Sequence, residues 1–262
     1  VALDLFAQPT VLAPPSSARV LGGRTYHTDE HGPLALDAYL PARGKGPFPA
    51  VLLVNGDGQE PVITRAKDWG VFRSYGEHLA GRGLIGVPFN HRSTLTVGRA
   101  GVAAEVDAVI TYVRDHAAEL RVDPERIGVW SFSAAGAFAL APLLRARPRY
   151  LRAVAGFYTV WDLAPMRGSV PSEEAIREWS ATQALGSTAA GLPPIFVATA
   201  ERDSKELVVG ADLFVERARK LGVDVREERH AGGQHGFDIR DDDDRSREII
   251  REALDFFAEA LR

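Results

Sequence analysis

Five short apolar runs, at residues 50–54, 84–88, 126–130, 151–157 and 194–199, alternate with longer amphipathic stretches, and this rhythm restricts the fold more than any other feature of the sequence. The runs are nearly continuous in aliphatic and aromatic residues, the pattern of strands covered on both faces of a parallel sheet. Between them helical spacing recurs. Residues 103–120 carry Val106, Val109, Ile110, Val113, Ala117 and Leu120 along one face, and residues 75–82, 134–145, 208–221 and 246–261 read as further helices. Residues 34–40 mix apolar and polar side chains before Pro41, and residues 223–228 alternate as a short strand. The expected fold is α/β, a mostly parallel central sheet with helices on both faces.

With 262 residues, 45% of them hydrophobic and 25% charged, the chain can bury one substantial core, so a single domain over residues 1–262 is expected. Residues 1–33 read as an irregular lead-in, Pro- and Ser-rich over 8–18. A net charge of -4 supplies no basic field for phosphate backbones, so no nucleic-acid partner is expected. The chain has no cysteine, which removes disulfides, thiolate metal sites, iron–sulfur clusters and thiol nucleophiles together. Four adjacent acids at 241–244 stand just before a helix, where the helix dipole favours negative charge, and are read as that helix start rather than as a calcium site. No run approaches the roughly 18 apolar residues of a membrane span, and residues 1–18 lack a basic start with a long apolar run. A soluble protein, cytoplasmic rather than secreted, is expected, with a homo-oligomer left open.

In a parallel sheet, chemistry gathers where strands end and helices begin. The run W-S-F-S-A-A-G at residues 130–136 turns from strand to helix with Ser133 at its apex, flanked two residues away by the small Ser131 and Ala135. A nucleophile on so sharp an elbow needs small neighbours at those places. Ser131, the rival apex, would be flanked by Val129, a poor fit. Asp203 follows the run at 194–199, and His235 lies between the strand at 223–228 and the last helix. Glu201 is the rival acid, and His230 the rival histidine. His91, after another strand, is a candidate substrate contact. Residues 158–192, punctuated by Pro and Gly, are a candidate small cap, with Trp161 and Met166 as candidate pocket walls. Neither a metal nor a cofactor is expected.

The order serine, acid, histidine, with the motifs V-D-P-E-R-I-G-V-W-S-F-S at 122–133 and Q-H-G-F at 234–237, resembles the α/β-hydrolase superfamily of serine esterases over residues 34–262. Dienelactone-hydrolase-like and prolyl-oligopeptidase-like esterases are the most similar groups. S-F-S-A-A departs from the usual G-x-S-x-G at both glycines, and dienelactone hydrolases proper place a cysteine where this chain has Ser133. The resemblance implies Ser133 as nucleophile, His235 as base and Asp203 as its orienting acid. It also implies an oxyanion hole built from the backbone N–H groups of Ala134 and of Asp57. Asp57 lies in the turn Asn55-Gly56-Asp57-Gly58, where relatives often carry H-G-x-G. The Asp57 carboxylate is expected to point away from the reacting oxygen. The activity implied is hydrolysis of small carboxylic esters through an acyl-enzyme. The alternatives are an aminoacyl amidase or peptidase, a lactone hydrolase, and a catalytically inactive binding protein of the same fold. The propeller of prolyl-oligopeptidase-like peptidases has no room in 262 residues, which favours the esterase.

Overall fold

The computed structural model describes residues 7–15 and 18–262. Eight strands form one sheet in the order β1-β2-β4-β3-β5-β6-β7-β8. In chain order they are β1 (Arg19–Asp29), β2 (Gly32–Leu40), β3 (Phe48–Val54), β4 (Ile85–Pro88), β5 (Val122–Phe132), β6 (Leu151–Phe157), β7 (Ile195–Ala200) and β8 (Val225–His230). Strands β3 to β8 run parallel to one another, while β1 and β2 join antiparallel at one edge.

The helices lie on both faces. They are α1 (Glu60–Ile63), α2 (Gly70–Gly81), α3 (Thr94–Asp115), α4 (Ala117–Leu120), α5 (Ala141–Ala146), α6 (Glu173–Trp179), α7 (Ala181–Ala184), α8 (Lys205–Leu221), α9 (Phe237–Arg240) and α10 (Asp244–Ala260). Alternate residues of each central strand feed opposite cores. Leu52, Val129 and Val197 meet α3 and α8 through Val106, Val109 and Phe214. Leu53, Trp130 and Phe196 meet α2 and α10 through Tyr75, Leu79, Ile250 and Phe257. None of the helices among the described residues is long and apolar enough to cross a membrane.

Two expectations are corrected. Residues 19–33 are not irregular: β1 pairs with β2 from Arg19 against Leu40 to Asp29 against Gly32. As an edge strand β1 exposes most of its side chains, and two irregularities interrupt its register, so it carries no apolar alternation. Residues 1–6, 16 and 17 of that lead-in lie outside the described residues. The hairpin is tied to α3 by Arg92, whose buried guanidinium meets Glu105 Oε1 at 2.5 Å and Asp29 Oδ1 at 2.5 Å. Residues 159–192, in the candidate cap, line no part of the cavity over Ser133. Leu163 and Ile176 pack with Ala137 and Val160 in a small core of their own, against which Met166 and Trp179 lie.

The chain leaves β3 for β4 on one side and then crosses to β5 on the other. Ligand sites in such sheets lie at the carboxyl ends of the strands where this reversal opens a crevice. Here the turns after β3 and β5 begin at Asn55 and Ser133.

Candidate active site

Ser133 follows β5 with φ 54°, a left-handed backbone that costs a residue with a Cβ and so needs external support. Thr159 supplies much of it. Its hydroxyl donates to the Ser133 carbonyl at 2.7 Å and accepts from the Gly136 N–H at 3.0 Å and from the Ser131 hydroxyl at 2.8 Å. Val160 N–H donates to the same Ser133 carbonyl at 2.8 Å. The chain beyond the elbow must therefore pass very close to this loop: a Cβ on Gly136 would lie 2.2 Å from the Val160 carbonyl oxygen. These contacts also separate the two serines, since Ser131 is fully buried and engaged with Thr159.

Ser133 Oγ lies 2.9 Å from His235 Nε2, and His235 Nδ1 lies 2.6 Å from Asp203 Oδ2. A carboxylate only accepts, so this short contact places a proton on Nδ1 and turns the Nε2 lone pair toward the serine hydroxyl. The other Asp203 oxygen accepts from Ser204 N–H at 2.7 Å, and the side chain is only 8% exposed, which fixes its rotamer. The rivals are committed elsewhere. Glu201 pairs with Arg229 at 2.7 Å, and His230 Nε2 contacts Ser246 Oγ at 3.0 Å and Asp243 Oδ1 at 3.2 Å. Asp243, inside the acidic run, caps α10 through the Ser246 N–H, as a helix-start reading of that run requires.

The turn after β3 approaches the same serine. A Cβ at Gly56 would stand 2.8 Å from Ser133 Cβ and 3.2 Å from its Oγ, so the backbone passes where only glycine fits. The Asp57 carboxylate is engaged at the start of α3, accepting from Thr94 N–H and Ser93 Oγ at 3.1 Å each and from the Thr94 hydroxyl. Burial alone would raise its pKa, but these hydrogen bonds outweigh burial and hold it below the usual carboxylate value.

A cavity of about 330 Å³ opens over Ser133 and His235, walled by Trp69, Val71, Phe72, Phe132, Tyr158 and Ile239. Three expected contacts are not among its lining residues. His91 is fully buried, with Nε2 3.1 Å from the Asn55 carbonyl and Nδ1 2.7 Å from that of Arg92, so it braces the Gly56 turn from behind. Trp161 stacks on Phe214 of α8 at 4.1 Å between ring centres. Met166 borders a separate surface depression with Ser204 and Glu206. Of residues 158–192 only Tyr158 reaches the cavity. It stands directly after β6, a position type that had already singled out Ser133 and Asp203.

Tyr158 has φ 40° and its ring lies 4.7 Å from that of His235. Its hydroxyl donates to Asp238 Oδ1 at 2.8 Å, and Tyr75 donates to Oδ2 at 2.7 Å. Burial pushes the Asp238 pKa up against the pull of these two bonds, and it pushes the Tyr158 phenol well above its ordinary value, with the adjacent Asp238 adding to the shift. The pair locks the wall that faces the histidine.

The family model described as BD-FAE matches residues 36–201, which span the turn after β3, the elbow and all of β7. The chain belongs to the BD-FAE family. This BD-FAE member is an α/β-hydrolase and, by family and fold, a serine hydrolase of the carboxylesterase type. Among solved structures, native esterase 2 of the planctomycete Thermogutta terrifontis is 25% identical over 94% of both chains, with a TM-score of 0.74. Its butyrate-bound form is 26% identical over 93% of this chain and 94% of that one, with a TM-score of 0.72. The same esterase phosphorylated by paraoxon is 24% identical over 93% and 94% of the two chains, also with a TM-score of 0.72. No curated protein matches the BD-FAE chain.

Proposed function

We propose that the protein hydrolyses carboxylic esters of small substrates through an acyl-enzyme on Ser133. The observation that carries this reading is the chain of contacts from Ser133 Oγ through His235 to Asp203, at 2.9 and 2.6 Å, with the serine on a left-handed elbow. Ser133 Oγ attacks the acyl carbon while His235 Nε2 takes its proton. The tetrahedral intermediate collapses as the same Nε2 protonates the leaving alcohol, and water then attacks the acyl-enzyme with the histidine again as base. Asp203 holds the imidazole and stabilises the imidazolium that forms in each step.

The Ala134 and Asp57 N–H groups are assigned to the developing oxyanion, each such donor being worth about 3 kcal/mol in comparable enzymes. The Gly56 approach supports this assignment, as does the engagement of the Asp57 carboxylate at Ser93 and Thr94, away from a reacting oxyanion. A butyrate-bound form of the Thermogutta esterase supports short acyl groups, and a cavity of about 330 Å³ has room for a small acyl group together with its alcohol. The test is Ser133→Ala against p-nitrophenyl acetate and butyrate. The variant should lose at least about 10³-fold in kcat while keeping the wild-type melting temperature. Full activity in Ser133→Ala would overturn the assignment.

A further inference from the structure

Apart from the site histidine, the cavity over Ser133 is lined by a single basic side chain among the described residues, Arg240 at the end of α9. The Arg240 guanidinium makes neither a hydrogen bond nor an ion pair among the described residues, although acids surround it in sequence and in space. Each of those acids has another partner. Asp238 accepts from Tyr75 and Tyr158, Asp241 from the N–H and side chain of Gln234, Asp242 pairs with Arg247, and Asp203 holds His235. The Asp57 carboxylate across the cavity is taken by Ser93 and Thr94. What remains is an exposed guanidinium with its donors free, sharing the cavity with the apolar and aromatic side chains of Trp69, Val71, Phe72 and Phe132.

Its position relative to the reaction is set by Gly236. The Arg240 stem lies over this glycine, where a Cβ would stand 3.5 Å from Arg240 Cδ, and Gly236 directly follows His235. In the reading above, His235 hands its proton to the leaving alcohol, and the Arg240 stem lies beside the residue that follows this histidine. Ile239 and Arg240 also wall a second, adjoining cleft of about 610 Å³ that includes Thr10 and Gln234, so a leaving group passing the guanidinium has somewhere to go. A planar guanidinium with free donors matches a carboxylate by paired hydrogen bonds, and an aromatic wall favours a flat apolar spacer.

We propose that Arg240 selects esters whose leaving alcohol carries a carboxylate. This rests on Ser133 as the nucleophile. The probes are 4-acetoxybenzoate and its neutral methyl ester, assayed by release of the phenol with the full-length wild type, Arg240→Gln and Arg240→Lys. The ratio of kcat/KM for the anionic ester to that for the neutral one should fall about fivefold in Arg240→Gln, be partly retained in Arg240→Lys, and fall in the wild type as salt is raised. Arg240 holds no other residue, so the variants should melt like the wild type. An unchanged ratio in Arg240→Gln would overturn the proposal. So would an equal Arg240 dependence for monophenyl glutarate over phenyl butyrate, which would put the charge on the acyl side. Hydrolysis of neither acetate ester by the wild type, or of both by Ser133→Ala, would overturn the Ser133 reading and this proposal with it.

Discussion

At the scale of single residues, the site depends on backbone passing through spaces that side chains would fill. Gly56 is the sharpest case, because a methyl group there would sit 2.8 Å from Ser133 Cβ. Gly56→Ala must therefore push the turn or Ser133 outward by several tenths of an ångström, and misplacement near 1 Å at a reacting centre costs about 10²-fold. We expect kcat on p-nitrophenyl acetate to drop by about that factor with the melting temperature nearly unchanged; activity within twofold of wild type would contradict the close approach. The meeting of Ser133, Asp203 and His235 was legible in the sequence because each follows a strand of a parallel sheet whose strands end at a common edge. His91, Trp161 and Met166 were misplaced because a polar or aromatic residue after a strand reads the same whether it faces the cavity or braces a turn from behind. The walls Trp69, Phe72 and Ile239 come from a loop, α2 and α9, and only three-dimensional packing brings them to Ser133.

At the scale of elements, the stretch at residues 10–12 docks on α2 and α9. Val11 N–H donates to the Asp238 carbonyl at 2.8 Å, and His78 Nε2 of α2 lies 3.0 Å from the Leu12 carbonyl. Burial lowers the His78 pKa from 6.5 to about 4, only partly countered by the Leu12 contact. The neutral ring is thus the folded form. Above about pH 7 neither folded nor unfolded chain protonates His78, and its effect on stability is nil. Below 6.5 the unfolded chain takes up a proton that the folded chain refuses until about pH 4, so stability is lost across that window. Between pH 7.5 and 5 the loss from this group is about 2 kcal/mol. Urea denaturation of wild type and His78→Gln at both pH values should show the variant losing less by that amount. Equal losses would mean that His78 does not resist protonation. The elements themselves were largely legible: β6 falls on the expected run at 151–157, and β7, α8 and α10 lie within a few residues of theirs. Apolar periodicity is strong wherever both faces of a strand are covered. It fails at β1, whose edge position leaves most side chains in water.

At the scale of the whole molecule, the sheet order places the turns after β3 and β5 side by side, and the parallel run from β5 to β8 delivers Tyr158, Asp203 and His235 to the same edge. Five loops far apart in sequence converge because every parallel strand ends on one side of the sheet. This convergence could be expected from the alternating pattern, but the antiparallel hairpin added at β1 and β2 could not, nor could the absence of residues 159–192 from the cavity lining. The accessible nucleophile is the central claim, and covalent labelling tests it most directly. A fluorophosphonate probe incubated with the intact protein, followed by proteolysis and mass spectrometry, should give one adduct on Ser133 that is absent from Ser133→Ala and slowed in His235→Ala. Labelling at Ser131 or elsewhere, or no adduct on folded protein, would contradict the account.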